Sequence, residues 1–196
     1  MQTQNFYILK TLKIIRGDDV RKIYKQKRTD LTADQILEFQ ENIYEQIYDL
    51  DTSGVKNVHL FLSLTKFKEI NTQPIINFFR KRHKKIVVST CNFKDNTLSH
   101  FYLEEDTVLE LNKFGVPEPI NAEQVDEKEL DLIFVPLLIS DELNYRVGYG
   151  KGFYDRFLSK CTDKAQFIGL NFFKPIYQIK DSDEFDVPLH QVIYPK

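Results

Sequence analysis

An apolar run at residues 130–136 constrains the fold of this chain more than any other feature. Apart from Asp131, every residue in the run is apolar, and apolar and polar residues do not alternate along it. A strand with one face in water alternates, whereas a strand covered on both faces is continuously apolar. The run therefore predicts an interior strand of a parallel sheet with helices on both faces.

Segments with helical spacing and β-branched segments alternate along the rest of the chain. Helices are predicted from Asp18, from the N-cap Thr32, and over residues 72–82 and 152–161. Strands are predicted over residues 57–63, 85–89, 98–103, 130–136, 166–170 and 191–194. This order is typical of a three-layer α/β/α architecture with a mostly parallel central sheet. We predict a single domain over residues 18–196, preceded by an N-terminal extension over residues 1–17 that need not be ordered.

The second helix has the clearest apolar stripe. The stripe comprises Ile36, Leu37, Gln40, Ile43, Tyr44 and Ile47. Its spacing repeats with the period of an α-helix, and Thr32 is a residue type that caps helix N-termini. We expect this whole stripe to face the core.

Composition excludes several functional classes. The 196 residues carry a net charge of -2, which is not the footprint of a nucleic-acid-binding or membrane-surface protein. Cys91 and Cys161 fit no metal-binding spacing, and no pair of histidines has the spacing of a zinc site. No apolar run reaches the ~20 residues that span a bilayer, and we predict no signal peptide. We expect a cytoplasmic monomer without nucleic-acid or membrane partners.

A glycine-rich loop follows the interior strand. Gly148, Gly150 and Gly152 alternate with larger residues, and Lys151 stands between the last two. Glycines let backbone N–H groups approach an anion closely, and Lys151 adds a positive charge. Arg146 adds a guanidinium that can hold phosphate oxygens with two hydrogen bonds. In parallel α/β sheets ligands bind beyond the carboxyl ends of strands, so the loop indicates a polyphosphate site.

Asp155 follows Lys151 by about one helical turn. A carboxylate beside a polyphosphate is repelled unless a cation lies between them, so Asp155 is predicted to bind Mg2+. The loop is neither a Walker A sequence nor a dinucleotide-binding fingerprint. The glycines alone are equally consistent with a tight turn between a strand and a helix. The nearby charged residues and Tyr154 favour a phosphate site over a plain turn.

Residues 146–156, RVGYGKGFYDR, resemble the signature R-[LV]-G-x-G-x-G-[YF]-Y-D of the 5-formyltetrahydrofolate cyclo-ligase (methenyltetrahydrofolate synthetase) family. Shorter blocks extend the resemblance over most of the chain from about Asp18 onward. These blocks are Arg21-Lys22 with Arg28, and residues 31–32, 60–63, 69–72, 115–119, 132–136 and 186–189. The glycine signature is highly specific, and the other blocks support it.

The resemblance implies that ATP and Mg2+ are used to convert 5-formyltetrahydrofolate into 5,10-methenyltetrahydrofolate, with ADP and phosphate released and a phosphorylated formyl intermediate. The implied catalytic residues are Lys151, Arg146 and Tyr154. The implied ATP-binding residues are Arg21, Arg146, Val147, Gly148, Tyr149, Gly150, Lys151, Gly152, Phe153 and Tyr154. The implied folate-binding residues are Leu62, Glu69, Tyr149, Gly150, Lys151, Gly152 and Phe153. The implied Mg2+ ligands are Asp155 and Asp186.

The sequence departs from the family pattern at several positions. Gly17 occupies the position of a lysine that contacts ATP, and its neighbour Arg16 is a possible substitute. Ser140 replaces an aromatic residue, Asn144 and Tyr145 replace a glycine, and Ser89 replaces a proline. Two alternatives to an active cyclo-ligase therefore stay open. One is a non-catalytic folate- or nucleotide-binding relative, and the other is a different ATP-dependent or sugar-phosphate enzyme on a related scaffold.

Overall fold

The structure is a computed structural model that describes residues 14–15, 17–180 and 184–196. Within these ranges the chain forms four α-helices. They are α1 (Gly17–Asp30), α2 (Ala33–Tyr48), α3 (Gln73–Lys81) and α4 (Phe153–Leu158). The helices at Asp18 and Thr32 thus form as predicted, with a short break between them.

The strands of the described residues are numbered in chain order. They are β1 (Ile14–Ile15), β2 (Asn57–His59), β3 (Lys85–Asn92), β4 (Thr97–Tyr102), β5 (Leu109–Leu111), β6 (Pro117–Pro119), β7 (Gln124–Val125), β8 (Leu132–Pro136), β9 (Ile139–Ser140), β10 (Arg146–Val147), β11 (Gln166–Leu170), β12 (Gln178–Ile179) and β13 (Gln191–Ile193). Short 3-10 helices occupy Thr65–Phe67 and Glu127–Glu129.

A central seven-stranded sheet in the described residues has the order β13-β11-β8-β2-β3-β4-β7. The pairs from β13 to β3 are parallel, and β4 and β7 continue the sheet in antiparallel pairs. β8 lies inside the sheet with parallel neighbours on both sides, as its apolar sequence predicts. The predicted architecture, a mostly parallel sheet between helices in one domain, is confirmed.

Alternate residues of the sheet enter separate cores. Val58, Val88 and Phe134 pack in the core that contains α2 and α3. Ile133 and Val135 point to the opposite face, where they join Phe157 and Leu158 of α4. Since side chains of a strand alternate between faces, both layers of helices bury apolar surface against the same strands.

The N-terminus of α2 is closed by a capping box. Thr32 accepts a hydrogen bond from the backbone N–H of Gln35, whose side chain accepts one from the Thr32 backbone. Ile43 and Ile47 are fully buried, as the stripe predicts. The prediction is wrong for Leu37, which is 58% exposed. Leu37 follows Ile36 directly, so the helical rotation of about 100° carries it beyond the edge of the buried face.

Several elements differ in length from the sequence prediction. The strand predicted over residues 57–63 ends at His59. Beyond it, the carbonyl of Phe61 accepts a hydrogen bond from Thr72, and the N–H of Leu64 donates to Glu69. Side chains thus satisfy backbone groups that a strand would pair, and this segment is free to line a cavity. β3 runs on to Asn92 because the antiparallel strand β4 pairs with its last residues.

Three further differences concern the loop regions. Residues 109–119 contain none of the predicted strands, but β6 pairs with β5 in a hairpin there. The helix predicted over residues 152–161 is limited to the six residues of α4. In the predicted extension, Ile14 and Ile15 pair in parallel with β12, and residues 1–13 and 16 lie outside the described ranges. The boundary at residue 18 stays a prediction. Among the described helices, none is long and apolar enough to cross a membrane.

Candidate functional site

A cavity of about 800 Å3 opens beyond the carboxyl ends of β2, β3 and β8. Its size falls in the ~300–1,000 Å3 range of small-molecule sites. The glycine loop forms one wall, residues 61–69 form another, and α1 contributes Asp18 and Arg21. All the residues predicted for the site line this cavity: Arg21, Leu62, Glu69, Arg146, Val147, Gly148, Tyr149, Gly150, Lys151, Gly152, Phe153, Tyr154, Asp155 and Asp186.

The glycine loop packs against an arginine of α1. Arg21 donates from Nε to the carbonyl of Gly148 over 3.0 Å and also pairs with Asp18. Gly150 has φ +86°, and a Cβ there would lie 2.8 Å from Cζ of Arg21. Any larger residue at position 150 would combine backbone strain with a collision against the guanidinium. The glycine therefore lets Arg21 lie directly on the loop.

Arg146 and Asp155 bind each other at the two ends of the loop. The Nη2 atom of Arg146 donates to Oδ1 of Asp155 over 2.6 Å, and Nη1 donates to the carbonyl of Val187. The backbone N–H of Val187 also donates to Oδ1 of Asp155, over 3.3 Å. The Arg146 side chain is only 6% exposed. Burial lowers the pKa of Arg146, and the Asp155 carboxylate opposes this effect. The pair closes the loop onto the C-terminal segment, and contact of Arg146 with phosphate stays a prediction.

Asp155 and Asp186 line the same cavity. Arg146 occupies Oδ1 of Asp155, and no described partner donates to Oδ2 of Asp155. The described residues contain no group of three or more acidic, His or Cys side chains able to hold a metal. Mg2+ commonly takes one or two protein carboxylates together with substrate phosphates, so two aspartates are enough. Their role as ligands stays a prediction.

The hydroxyl of Tyr149 joins the loop to two other elements. It donates to Oε1 of Glu69 over 2.6 Å and accepts from Nη2 of Arg28 over 2.6 Å. Oε2 of Glu69 accepts from the N–H of Leu64 over 2.8 Å. Burial and the Glu69 charge raise the pKa of Tyr149, so the phenol keeps its proton. Glu69 is thus held in one orientation at the cavity wall.

A chain of buried and half-buried polar side chains begins at the cavity floor, which His59 and Ser89 line. Nε2 of His59 lies 2.7 Å from Oγ of Ser89, which lies 2.8 Å from Nδ1 of His100. Nδ1 of His59 has no hydrogen-bond partner among the described residues. Burial lowers the pKa of His59 well below its usual value and that of His100 to about 4. Both rings are therefore neutral near pH 7.

Tyr154 packs above this floor. Its ring lies edge-on to His59, with 6.2 Å between ring centroids, and beside Phe157 at 5.9 Å. Burial, with smaller contributions from Cys91 and Glu69, raises the pKa of Tyr154. Tyr154 lines the cavity, and its hydroxyl makes no hydrogen bond to any described residue. A neutral phenol is therefore available as a donor at this wall.

Sequence reasoning did not assign several residues of the site. His59 and Ser89 line the cavity, and the buried Arg28 and His100 bond to residues that line it. The aromatic residues at the wall are Phe67, Phe93 and Phe114. The sequence carried one signal, because His59 interrupts the apolar segment between Val58 and Leu60. The aromatic residues come from separate loops that meet only in the fold.

The departures from the family pattern have different structural outcomes. Asn144 has φ +64°, so it adopts the left-handed conformation expected where a glycine is replaced. Asp141 is buried and accepts from the N–H groups of Leu143, Tyr145 and Ile179. Ser140 is buried, and its hydroxyl has no partner among the described residues. The turn survives the asparagine, and Ser140 leaves a buried polar atom unsatisfied.

A model of the 5-formyltetrahydrofolate cyclo-ligase family matches residues 15–195. The 5-formyltetrahydrofolate cyclo-ligase of Haemophilus influenzae is 29% identical over 181 residues, which is 89% of this chain and 93% of that protein. A Schizosaccharomyces pombe protein named "Probable 5-formyltetrahydrofolate cyclo-ligase" is 32% identical over 138 residues, covering 68% of this chain and 67% of that protein.

Solved structures share the fold. A 5,10-methenyltetrahydrofolate synthetase from Aquifex aeolicus superposes with a TM-score of 0.77 at 24% identity, covering 92% of this chain and 90% of that one. The synthetase from Mycoplasma pneumoniae gives 0.70 at 19% identity, covering 91% and 98%. At these identities the superpositions support the architecture alone.

Proposed function

The chain belongs to the 5-formyltetrahydrofolate cyclo-ligase family of enzymes, and on that basis we propose that it converts 5-formyltetrahydrofolate into 5,10-methenyltetrahydrofolate with ATP and Mg2+, releasing ADP and phosphate. One observation carries the proposal. The cations of the loop, the carboxylate of Glu69 and two aspartates line a single cavity at the carboxyl edge of a parallel sheet. That cavity offers partners for a polyphosphate, a pterin and a cation together.

The loop wall is proposed to bind ATP. Lys151 is exposed at the cavity and forms no ion pair with any described residue, so its charge is available to phosphate oxygens. Arg21 lies against Gly148 and Gly150 and brings a second cation to the same wall. Because α4 has only six residues, the proposal rests on these side chains and the loop amides rather than on a helix dipole.

The opposite wall is proposed to bind the folate. Glu69 is fixed by Leu64 and Tyr149, and a carboxylate can accept further hydrogen bonds from amino and ring N–H groups. Leu62 and the aromatic rings of Phe67 and Tyr149 give this side a flat apolar surface. Asp155 and Asp186 would hold Mg2+, which supplies positive charge to the phosphate oxygens when bound.

The chemistry is then a sequence of two substitutions. The formyl oxygen attacks the γ-phosphorus and ADP leaves, which gives a phosphorylated formyl intermediate. N10 attacks the activated formyl carbon, loses its proton and expels phosphate. Lys151, Arg146 and Tyr154 are proposed as the catalytic residues. The first two supply positive charge, and Tyr154 supplies a phenolic donor. The enzyme acts mainly by positioning and charge neutralisation.

The test is an absorbance assay for methenyltetrahydrofolate with 5-formyltetrahydrofolate and ATP, with and without Mg2+. The expected result is turnover that needs both ATP and Mg2+. Absence of turnover by well-folded protein overturns the proposal.

The unsatisfied hydroxyl of Ser140 and the glycine at position 17 favour one second candidate, a relative that binds folate or a nucleotide without catalysis. Tight binding of 5-formyltetrahydrofolate in calorimetry without turnover is the result expected of that candidate. A substrate panel identifies a different ATP-dependent or sugar-phosphate activity.

A further inference from the structure

The direction of both hydrogen bonds at the Tyr149 hydroxyl is fixed by chemistry. A guanidinium can only donate and a carboxylate can only accept. Arg28 must therefore donate to the phenol oxygen, and the phenol must donate its proton to Glu69. Each bond polarises the hydroxyl in the sense that strengthens the other. The three side chains form a one-way chain from a cation to an anion.

Arg28 has few other roles in the described structure. The residue is only 6% exposed, and it forms no ion pair within the described part of the chain. Its guanidinium donates to Tyr149 and also lies 5.7 Å from the centre of that ring. A buried cation is costly unless it has a partner. The Tyr149 hydroxyl, with Glu69 behind it, is the partner that the fold supplies.

Arg28 and Arg21 together hold the glycine loop against α1. They stand about two helical turns apart and so lie on the same face of the helix. Arg21 binds the carbonyl of Gly148, and Arg28 binds the side chain of Tyr149. Neighbouring loop residues are thus attached to one helix at separate points, while the Tyr149 hydroxyl continues to Glu69 on the folate side.

We propose that Arg28 is a positioning residue for Glu69, the carboxylate that would bind the folate. Arg28 acts on Glu69 through the hydroxyl of Tyr149. This proposal rests on the proposed function, because it assigns Glu69 to the folate. Arg28 itself does not contact the substrate. It orients the phenol, the phenol orients Glu69, and Glu69 receives the pterin N–H groups. The glycine loop and the wall that carries Glu69 are thereby held in fixed positions relative to each other before either ligand binds.

The test is a double-mutant cycle with Arg28→Met, Tyr149→Phe and the double variant. Calorimetry measures the Kd of 5-formyltetrahydrofolate, and kinetics measures KM for both substrates. Each single change should weaken folate binding about tenfold, as expected for loss of one charge-assisted hydrogen bond. The folate Kd of the double variant should lie within about twofold of the Kd of either single variant, because both changes break the same chain of hydrogen bonds. The rise in the folate Kd should exceed any rise in the KM for ATP, because the broken chain ends on Glu69 and Tyr149→Phe keeps the aromatic ring that packs in the loop.

Lys25→Met is the matched control. Lys25 also places a cation over the Tyr149 ring, at 5.5 Å, but it makes no hydrogen bond to the hydroxyl. This variant should bind folate like the wild type. Arg28→Lys keeps the charge and should restore part of the affinity only if its amine reaches the phenol. Thermal unfolding checks that each variant folds, and Tyr149→Phe alone keeps the proposal testable if Arg28→Met does not.

The outcomes separate this proposal from the proposed function. Folate Kd changes that multiply in the double variant show independent roles and overturn it. Variants that bind folate like an active wild type also overturn it and leave the proposed function intact. A wild type that neither binds nor converts 5-formyltetrahydrofolate overturns both.

Discussion

The loop wall and the floor of the cavity are built from opposite chemistry. Along the loop wall, Arg146 pairs with Asp155, and Arg28 reaches Glu69 through Tyr149. On the floor, His59, Ser89 and His100 form a chain of hydrogen bonds whose two rings are held neutral by burial. Charged side chains therefore hold the loop wall, whereas the floor depends on excluding charge. Substitutions in the two regions should therefore differ in their effects on stability, activity and pH dependence.

The largest effect is expected from breaking the ion pair of the loop wall, in which the Arg146 side chain is buried. Arg146→Met leaves Asp155 without its cation and should lower the free energy of unfolding by about 3 kcal/mol. Urea unfolding measures this change. Lys160→Met is the control, because it removes a pair with Glu127 at 3.4 Å whose cation is 54% exposed. Such a pair contributes less than about 1 kcal/mol. Equal losses of unfolding free energy in the two variants would show that burial does not make the loop pair more stabilising.

A smaller effect, on activity rather than stability, is expected at the exposed cation of the loop. Lys151→Ala should lower kcat/KM by a factor that corresponds to about 1.5–3 kcal/mol, the loss of a charge-assisted contact with phosphate. Steady-state kinetics with varied ATP measures the change. Lys164→Ala, at an exposed position outside the cavity, should match the wild type. Activity of Lys151→Ala within a few-fold of wild type contradicts the assignment.

The close packing of Arg21 on the loop predicts a further cost. Gly150→Ala places a Cβ against the guanidinium in a left-handed backbone. It should cost about 1–2 kcal/mol, seen as a raised KM for ATP. Gly54→Ala is the control, since nothing lies within 4 Å of a Cβ there and its φ is not positive. A normal KM for ATP in Gly150→Ala shows that the loop does not need the close contact between Gly150 and Arg21.

The floor should respond to pH in a way that the loop wall does not. In the unfolded chain a histidine titrates near 6.5, whereas the folded pKa of His100 is about 4. Between these values the unfolded chain binds the proton and the folded protein does not. The stabilisation is thus complete above pH 6.5 and is lost as pH falls toward 4. The loss is about 1.4 kcal/mol for each pH unit.

Urea midpoints at several pH values measure this slope, and His100→Gln should flatten it. His59 has a depressed pKa for the same reason and contributes in the same direction. An unchanged slope in His100→Gln assigns the pH dependence to other groups.

Local sequence was enough to find the loop wall, and it was not enough to find the floor. Arg146, Lys151 and Asp155 fall within one short motif, so their spacing reveals them. His59 and His100 lie on strands far apart in sequence and meet only through the pairing of β2, β3 and β4. A histidine within an apolar segment indicates burial, but it does not indicate its partner.

The strands, too, were predicted well only where local sequence was enough to define them. β8 and β11 were predicted closely because an interior parallel strand is apolar throughout. β2 was predicted too long because Phe61 and Leu62 are as apolar as a strand, although their backbone bonds to side chains instead. The hairpin of β5 and β6 was missed because the residues of β5 are exposed and β6 has a proline at each end.

The packing of α1 should make this helix and the glycine loop open locally as one unit. Val20 and Tyr24 lie in a small core of their own with Ile139 and Val147, separate from the two cores that cover the central sheet. The arginines of the same helix hold the glycine loop. Small, peripheral cores open more readily than the main core, and their parts open together. Helix and loop should therefore exchange their amide hydrogens as one cooperative unit.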